Sequence, residues 1–332
     1  MTPVQRVVAA AVLVLLAAVP LRAYLKLGSR IGARTVTLRW SEFPVRYFVT
    51  DRPSGDVSAQ QFQTAIDRAF NTWHAVETAD TSSEFTGFTQ ADPLREDNMS
   101  VLGFLEQSDQ DRTLAATTFL IDAADGSILE SDIFFNSAFQ WSTAAGGETG
   151  RFDLESIAVH EIGHLLGLSH SALGETELVS GGRRVIAAES AMFPIAFSSG
   201  NTADRVLKAD DIAGMSDIYG TGAFARQFGS VSGRVTKNGE GVVGAHIVAF
   251  NTRTRKLVGG FSLDSDGGFV IAGLEPGPHV LRVEPLDDGD VESFFNESLG
   301  VDADFNVKFY ERVVVVPRGG GTTNIEIQVT PK

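Results

Sequence analysis

The chain has 332 residues, 43% of them hydrophobic, with six histidines, no cysteine and a formal net charge of −15. That is enough length and apolar content for two domains, each with its own core. The acidity argues against nucleic acid or an anionic membrane as a partner, since both would be repelled. The lack of cysteine excludes disulfides as a source of stability.

Residues 1–23 have the three-part layout of a secretory signal: Met1 to Arg6 with one basic residue, an uncharged run from Val7 to Pro20, then Leu21-Arg22-Ala23. Cleavage after Ala23 would place the chain outside the cell or in a periplasm. The apolar run is short for a span of about 20 residues, which makes an uncleaved anchor the secondary reading. No later segment is apolar enough to cross a bilayer, so no stable membrane span is expected after cleavage. Residues 24–36 read as a linker.

Pro44 to Thr50 is β-branched, aromatic and alternating, as a first strand should be. Ser58 and Gln61 then have capping-box spacing, Val57 and Phe62 staple spacing, and Ile66, Ala69, Phe70, Trp73 and Val76 share one helical face. His74 falls off that stripe and reads as a surface residue. Ser100 to Leu105 and Thr113 to Ile121 read as two more strands. Asp153 can cap a helix from Leu154 to about Leu166, with Phe152 and Ile157 as a staple and Glu155 complementing its positive end.

That helix carries His160-Glu161-Ile162-Gly163-His164, and Gly167 and His170 follow. Histidines four apart lie on one helical face and can share a divalent ion, with Glu161 beside them. Gly167 can adopt the left-handed conformation that reverses the chain, bringing His170 back as a third ligand. Three protein ligands leave the fourth tetrahedral position open, as in a catalytic zinc site. Ala209 to Tyr219 reads as another helix, with Asp210 and Asp211 as structural carboxylates in its first turn and Gly220 beyond its end.

From Gly220 to Gly229 the texture becomes that of a short connector. Beyond it, segments starting at Ser230, Gly244, Gly268, Gly277, Glu311 and Thr323 have short-strand character with turns between them, as in a β-sandwich. Asp264-Ser265-Asp266-Gly267-Gly268 fits a hairpin turn better than a calcium loop, because no EF-hand continues from it. His246 and His279 lack spaced partners and read as core or surface residues. Asn98-Met99-Ser100 and Asn296-Glu297-Ser298 match the glycosylation sequon, which is uninformative without a known host.

The extended histidine motif, with Ser190-Ala191-Met192-Phe193-Pro194 after it, resembles the metzincin zinc peptidases and their Met-turn. The helix from Leu207 to Gly220, the strand from Ile128 to Asn136 and the absence of a tyrosine close behind Met192 narrow the resemblance to the matrixin-like branch. The second half resembles carboxypeptidase-regulatory-like, transthyretin-like modules. The resemblance implies an α+β zincin-like (metzincin) domain over residues 37–222, with a twisted mixed sheet and three main helices. A linker at 223–229 and an all-β sandwich over 230–332 would follow.

It further implies a zinc-dependent endopeptidase acting on a protein or peptide substrate. One Zn²⁺ would be held by His160, His164 and His170, Glu161 would be general base and then acid, and Met192 would pack beneath the metal without binding it. In the matrixin arrangement the strand holding Leu114, Ala115, Ala116, Thr117 and Thr118 is an edge that pairs with substrate; a buried inner strand is the alternative. Animal matrixins are commonly held latent by a propeptide cysteine, and that route is not expected here. The stretch Ala172 to Glu189, with Gly181-Gly182-Arg183-Arg184, is longer than matrixins usually have, so their specificity does not transfer, and the second structural zinc is not expected. Calcium on Asp122, Asp125, Glu130 and Asp132 competes with a solvated acidic surface. The rival function is an exported binding or adhesion protein whose zinc site is vestigial and whose sandwich recognises a cell-surface or polymer ligand.

Overall fold

Alternating burial in Val45–Thr50 (β1) makes it a strand of the first core, where Val45, Tyr47 and Val49 all point inward. The computed structural model describes residues 18–19, 26–31, 34–180, 182–295 and 299–332. Most of the signal at 1–23, Gly181 and the sequon at 296–298 lie outside the described residues.

The helix Ala59–His74 (α1) begins as its sequence predicts. Ser58 N donates to Gln61 Oε1 at 2.9 Å and Gln61 N donates back to Ser58 Oγ at 3.2 Å, satisfying two end groups reciprocally. Its inward stripe, Phe62, Ile66, Phe70 and Trp73, is buried. His74 corrects the surface reading: it is half-buried, its ring stacks on Phe70 at 5.9 Å, and burial lowers its pKa.

Strands Ser83–Thr89 (β2), Ser100–Leu105 (β3), Ala115–Ile121 (β4) and Ile128–Asn136 (β5) join β1 in a five-stranded mixed sheet of order β2-β1-β3-β5-β4. All neighbours are parallel except β4, which runs antiparallel to β5 and lies at the edge. The helix Leu154–Leu165 (α2) is fastened to α1 at the bottom of the core, where Trp73 Nε1 donates to Val159 O at 2.8 Å. Hydrogen bonding of the buried indole lets this large apolar body sit in the core without an orphaned donor.

The stretch read as an N-terminal linker contributes a strand, Lys26–Ile31, whose Leu27 is buried with Leu38 and Ile128. The long stretch after His170 folds into a hairpin of Gly174–Val179 (β6) and Gly182–Ala188 (β7). Helix Ala209–Tyr219 (α3) follows, and Gly220 at its end has φ −61°, so no left-handed turn ends it. The connector expected at 223–229 is largely helical, Gly222–Gln227 (α4), capped by Thr221.

The C-terminal half is two sheets around one core. In the first, Gly229–Lys237 (β8) pairs in parallel with the last strand of the chain and antiparallel with an earlier one; the second starts from His246–Asn251 (β9) and Leu257–Phe261 (β10). Gly268–Leu274 (β11) belongs to the first sheet, Gly277–Glu284 (β12) and Val314–Val316 (β13) to the second, and Gly321–Val329 (β14) is the parallel partner of β8. The turn at Asp264 to Gly268 closes with Gly267 N donating to Asp264 O at 2.8 Å. It corrects the hairpin reading, because β10 and β11 enter different sheets. Among the described residues no helix is long and apolar enough to cross a membrane.

The halves are joined by specific contacts. Ala213 of α3 is buried within the C-terminal core. Asp210, also buried, accepts from Ser171 Oγ at 2.6 Å and from Gly259 N of β10 at 2.8 Å. Thr176 N of the inserted hairpin donates to Asp288 Oδ1 at 2.7 Å.

Burial pushes the Asp210 carboxyl up to about 7 against its two donors, with Asp211 adding to the rise and His246 opposing it. The unfolded value is near 3.9. Between these values the folded state keeps a proton that the unfolded chain has lost, so this contribution is present in acid and fades as pH rises towards 7. The unfolding free energy of the unsubstituted chain minus that of Asp210→Asn should therefore fall by up to roughly 4 kcal/mol between pH 4 and 8. Denaturant titrations of both proteins across that range check the slope; a pH-independent difference contradicts it.

Candidate metal centre

His160 and His164 sit one turn apart on α2, and the chain leaves that helix through Gly167 at φ +96°. A Cβ there would lie 2.4 Å from Leu38 O, so the turn needs glycine both for its backbone angle and for the close approach. The reversal brings His170 to the other two. His160 Nε2 and His164 Nε2 are 3.1 Å apart, as are His164 Nε2 and His170 Nε2.

The opposite ring nitrogens decide what these three atoms can do. His160 Nδ1 lies 2.8 Å from Ala191 O, His164 Nδ1 2.8 Å from Leu168 O, and His170 Nδ1 2.6 Å from Ser293 O. A carbonyl only accepts, so each Nδ1 donates its proton and each Nε2 presents a bare lone pair. Burial lowers the His160 pKa to about 3, with the neighbouring His170 adding to the drop, and it lowers those of His164 and His170 as well. Neutral imidazoles with converged lone pairs are the donor set zinc takes. The spacing is close to the roughly 3.4 Å edge of a tetrahedron built on Zn–N bonds of about 2.0–2.1 Å. The residues present therefore fit the ion.

Glu161 is buried on the same helix, and desolvation pushes its carboxyl up to about 7. Thr117 of β4 opposes that rise: its Oγ1 donates to Glu161 Oε2 at 2.7 Å and lies 3.1 Å from Glu161 O. Thr117 was singled out in the sequence only for its strand. Along that strand Leu114 O accepts from Asn136 N, which turns the carbonyls of Leu114, Ala116 and Thr118 toward β5. The main chain of Ala115 and Thr117 then faces the open edge.

Met192 is buried against α2 where Gly163 leaves room; a Cβ at Gly163 would lie 2.2 Å from Met192 Sδ and 2.8 Å from the Trp73 ring. The turn holding it is gripped by Asp211, which accepts from Ser190 Oγ at 2.5 Å, Ala191 N at 2.9 Å and Met192 N at 3.3 Å. Asp211 also accepts from Lys208 N at 2.8 Å at the start of α3. No spacing rule pointed to Ser293 or Ala191, since both act through carbonyls that every residue has, and the sequence marks Asp211 only as a structural carboxylate in the first turn of its helix.

The four carboxylates considered for calcium do not gather. Asp132 accepts from Leu94, Arg95 and Val101 N, Glu130 from Asp97 and Asn98 N, and Asp122 and Asp125 from Ala124 and Ser127 N. Among the described residues the histidine triad alone brings three or more ligand atoms within metal-binding reach. His246 and His279 are both buried, His246 with Nδ1 on Glu284 at 3.0 Å and His279 with Nδ1 on Gly277 O at 3.0 Å.

Asp211 connects to the triad through Ala191, whose N–H it receives and whose carbonyl receives His160. Asp211→Ala should weaken Zn²⁺ binding about tenfold, in line with the loss of other outer partners of metal-bound histidines. Competition with a chromophoric chelator measures it, and an unchanged affinity in a folded variant contradicts it.

Residues 39–220 match the family model described as Matrixin, and residues 230–294 match the Carboxypeptidase regulatory-like domain. The chain is 26% identical to Stromelysin-1 of Mus musculus over 183 residues, 55% of this chain and 33% of that protein. It is 30% identical to Metalloendoproteinase 2-MMP of Arabidopsis thaliana over 170 residues, 48% of this chain and 38% of that one. The chain thus spans between 33% and 38% of the length of these relatives. Among solved structures, the Bacillus anthracis TIE protein is similar over 32% of this chain and 17% of that chain, at 15% identity and a TM-score of 0.20, too low to bear on the fold. With more than half of its length covered by one family model, the chain belongs to the matrixin family of zinc metallopeptidases and carries a carboxypeptidase regulatory-like domain behind the peptidase.

Proposed function

We propose that the protein is a secreted zinc-dependent endopeptidase that hydrolyses peptide bonds of protein substrates. His160, His164 and His170 hold the ion and Glu161 moves the proton. The observation that carries this reading is the convergence of three Nε2 lone pairs beside a buried carboxylate that is itself oriented by a hydroxyl. Zinc held there supplies Lewis acidity to a water and to the scissile carbonyl.

Glu161 takes a proton from the attacking water and returns it to the leaving amine. Burial raises its pKa, and the positive charge of a bound ion would lower it again, which leaves Glu161 a carboxylate able to receive the proton. Thr117 occupies Oε2 and thereby leaves Oε1 as the oxygen that faces the water. Within Leu114, Ala115, Ala116, Thr117 and Thr118, the open main chain of Ala115 and Thr117 pairs with an extended substrate as an added strand. Met192 supports the triad from beneath without ligating.

Export rests on the layout of residues 1–23, with residues 24–36 leading into the peptidase at 37–222, a junction at 223–229 and the sandwich at 230–332. A cell-surface or polymer ligand, should one bind, would be taken by the sandwich.

Glu161→Gln should keep stoichiometric Zn²⁺ and lose about 10²–10⁴-fold in turnover of an unstructured protein substrate. Thr117→Val should lose less, about tenfold, because it orients the base without replacing it. Chelator-sensitive peptide hydrolysis, measured with metal content, checks both; a Glu161→Gln protein with unchanged turnover contradicts the assignment. Zinc bound without hydrolysis in the unsubstituted chain favours the adhesion reading instead.

A further inference from the structure

We infer that the C-terminal module is part of the metal centre: the main-chain carbonyl of Ser293 positions His170. The inference rests on the triad reading above and adds to it a group from a different part of the fold.

His160 and His164 need little outside help. Both stand on α2, and the carbonyls that receive their Nδ1 protons, Ala191 and Leu168, belong to the peptidase half. His170 stands on the loop after Gly167, where no helix sets its direction. Its Nδ1 partner is Ser293 O, at 2.6 Å and 123 positions further along the chain. That carbonyl fixes which nitrogen carries the proton and where the ring plane points, and both decide whether Nε2 joins the other two.

Ser293 is held in turn. It ends a short 3-10 turn, Val291–Ser293, in which Ser293 N donates to Asp290 O at 2.9 Å, while Phe294 N and Phe295 N donate to Val291 O at 3.0 and 2.9 Å. Phe294 and Phe295 are almost fully buried, with Phe295 edge-on to Phe261 of β10 at 5.0 Å. The same apolar cluster includes Ala172, two residues after His170. Thr176 of the inserted hairpin grips Asp288, five residues before Ser293, through both its N–H and its hydroxyl. The position of the carbonyl is therefore set by packing on both sides of the junction, and ion binding and docking of the module favour one another by linkage.

The test alters the acceptor and keeps every side chain. Replacing Phe294 by its 2-hydroxy acid analogue in the full chain turns the Ser293 carbonyl into that of an ester, a weaker acceptor, and deletes the Phe294 N–H. The same replacement at Phe295 deletes an N–H bonded to the same Val291 oxygen and leaves the Ser293 carbonyl an amide. Zn²⁺ affinity by chelator competition should be about tenfold weaker for the first ester than for the second, with similar unfolding of the two zinc-free chains. Equal affinities overturn the inference while leaving the triad reading intact; an unmodified chain that binds no Zn²⁺ overturns both.

A second measurement covers esters that fail to fold. In the unmodified zinc-loaded chain, imidazole NMR should show the His170 Nδ1 proton exchanging as slowly as that of His164. Exchange as fast as in free imidazole would count against the Ser293 contact.

Discussion

Three imidazoles whose Nδ1 protons are all committed to backbone carbonyls have their remaining lone pairs forced together, and the rest of the molecule is arranged around that conflict. In a buried site such lone pairs repel and no nearby proton relieves them, since protonation is itself opposed by burial. A divalent cation bound there would turn the repulsion into three bonds. The carbonyls come from the Met-turn, from the loop after Gly167 and from the far half of the chain, so the geometry of the centre reports the correct assembly of three distant segments.

Helix α3 takes no part in ligation, yet two adjacent carboxylates at its start organise what surrounds the centre. Asp211 gathers four donors from Lys208 and the Met-turn. Asp210, on the next face of the same turn, reaches Ser171 beside the third histidine and Gly259 in the C-terminal sheet. Both are buried, and each is tolerated because donors replace the lost water. Neighbouring positions on one helix turn thus fasten two modules to the same metal-binding loop.

At the other wall the edge strand β4 serves twice. The Thr117 side chain holds the Glu161 carboxylate while the main chain of the same strand stays free along its outer side. On the proposed reading a single strand would set both the distance of a substrate from the base and the orientation of the base. The antiparallel direction of β4, the exception in its sheet, brings its chain back along the helix bearing Glu161.

What the sequence determined by itself is local and periodic. Histidines four apart share a helix face because of the helical repeat, the Ser58 and Gln61 pair caps α1 because its donors and acceptors lie within one turn, and Gly167 must reverse the chain because other residues pay a steric penalty there. The stripe on α1, the strands Val45–Thr50, Ser100–Leu105 and Ala115–Ile121 and most strands of the second half follow from the same periodicities, whereas Ser83–Thr89 carries no such mark. Tertiary structure alone decided which carbonyl meets each Nδ1, that Thr117 meets Glu161, that His74 is covered by Phe70, that Gly163 makes room for Met192, and that Gly222–Gln227 closes into a helix. It also routed β10 and β11 into separate sheets. Those outcomes depend on main-chain atoms that every residue carries, or on contacts between segments tens to more than a hundred positions apart, and neither leaves a mark in spacing or composition.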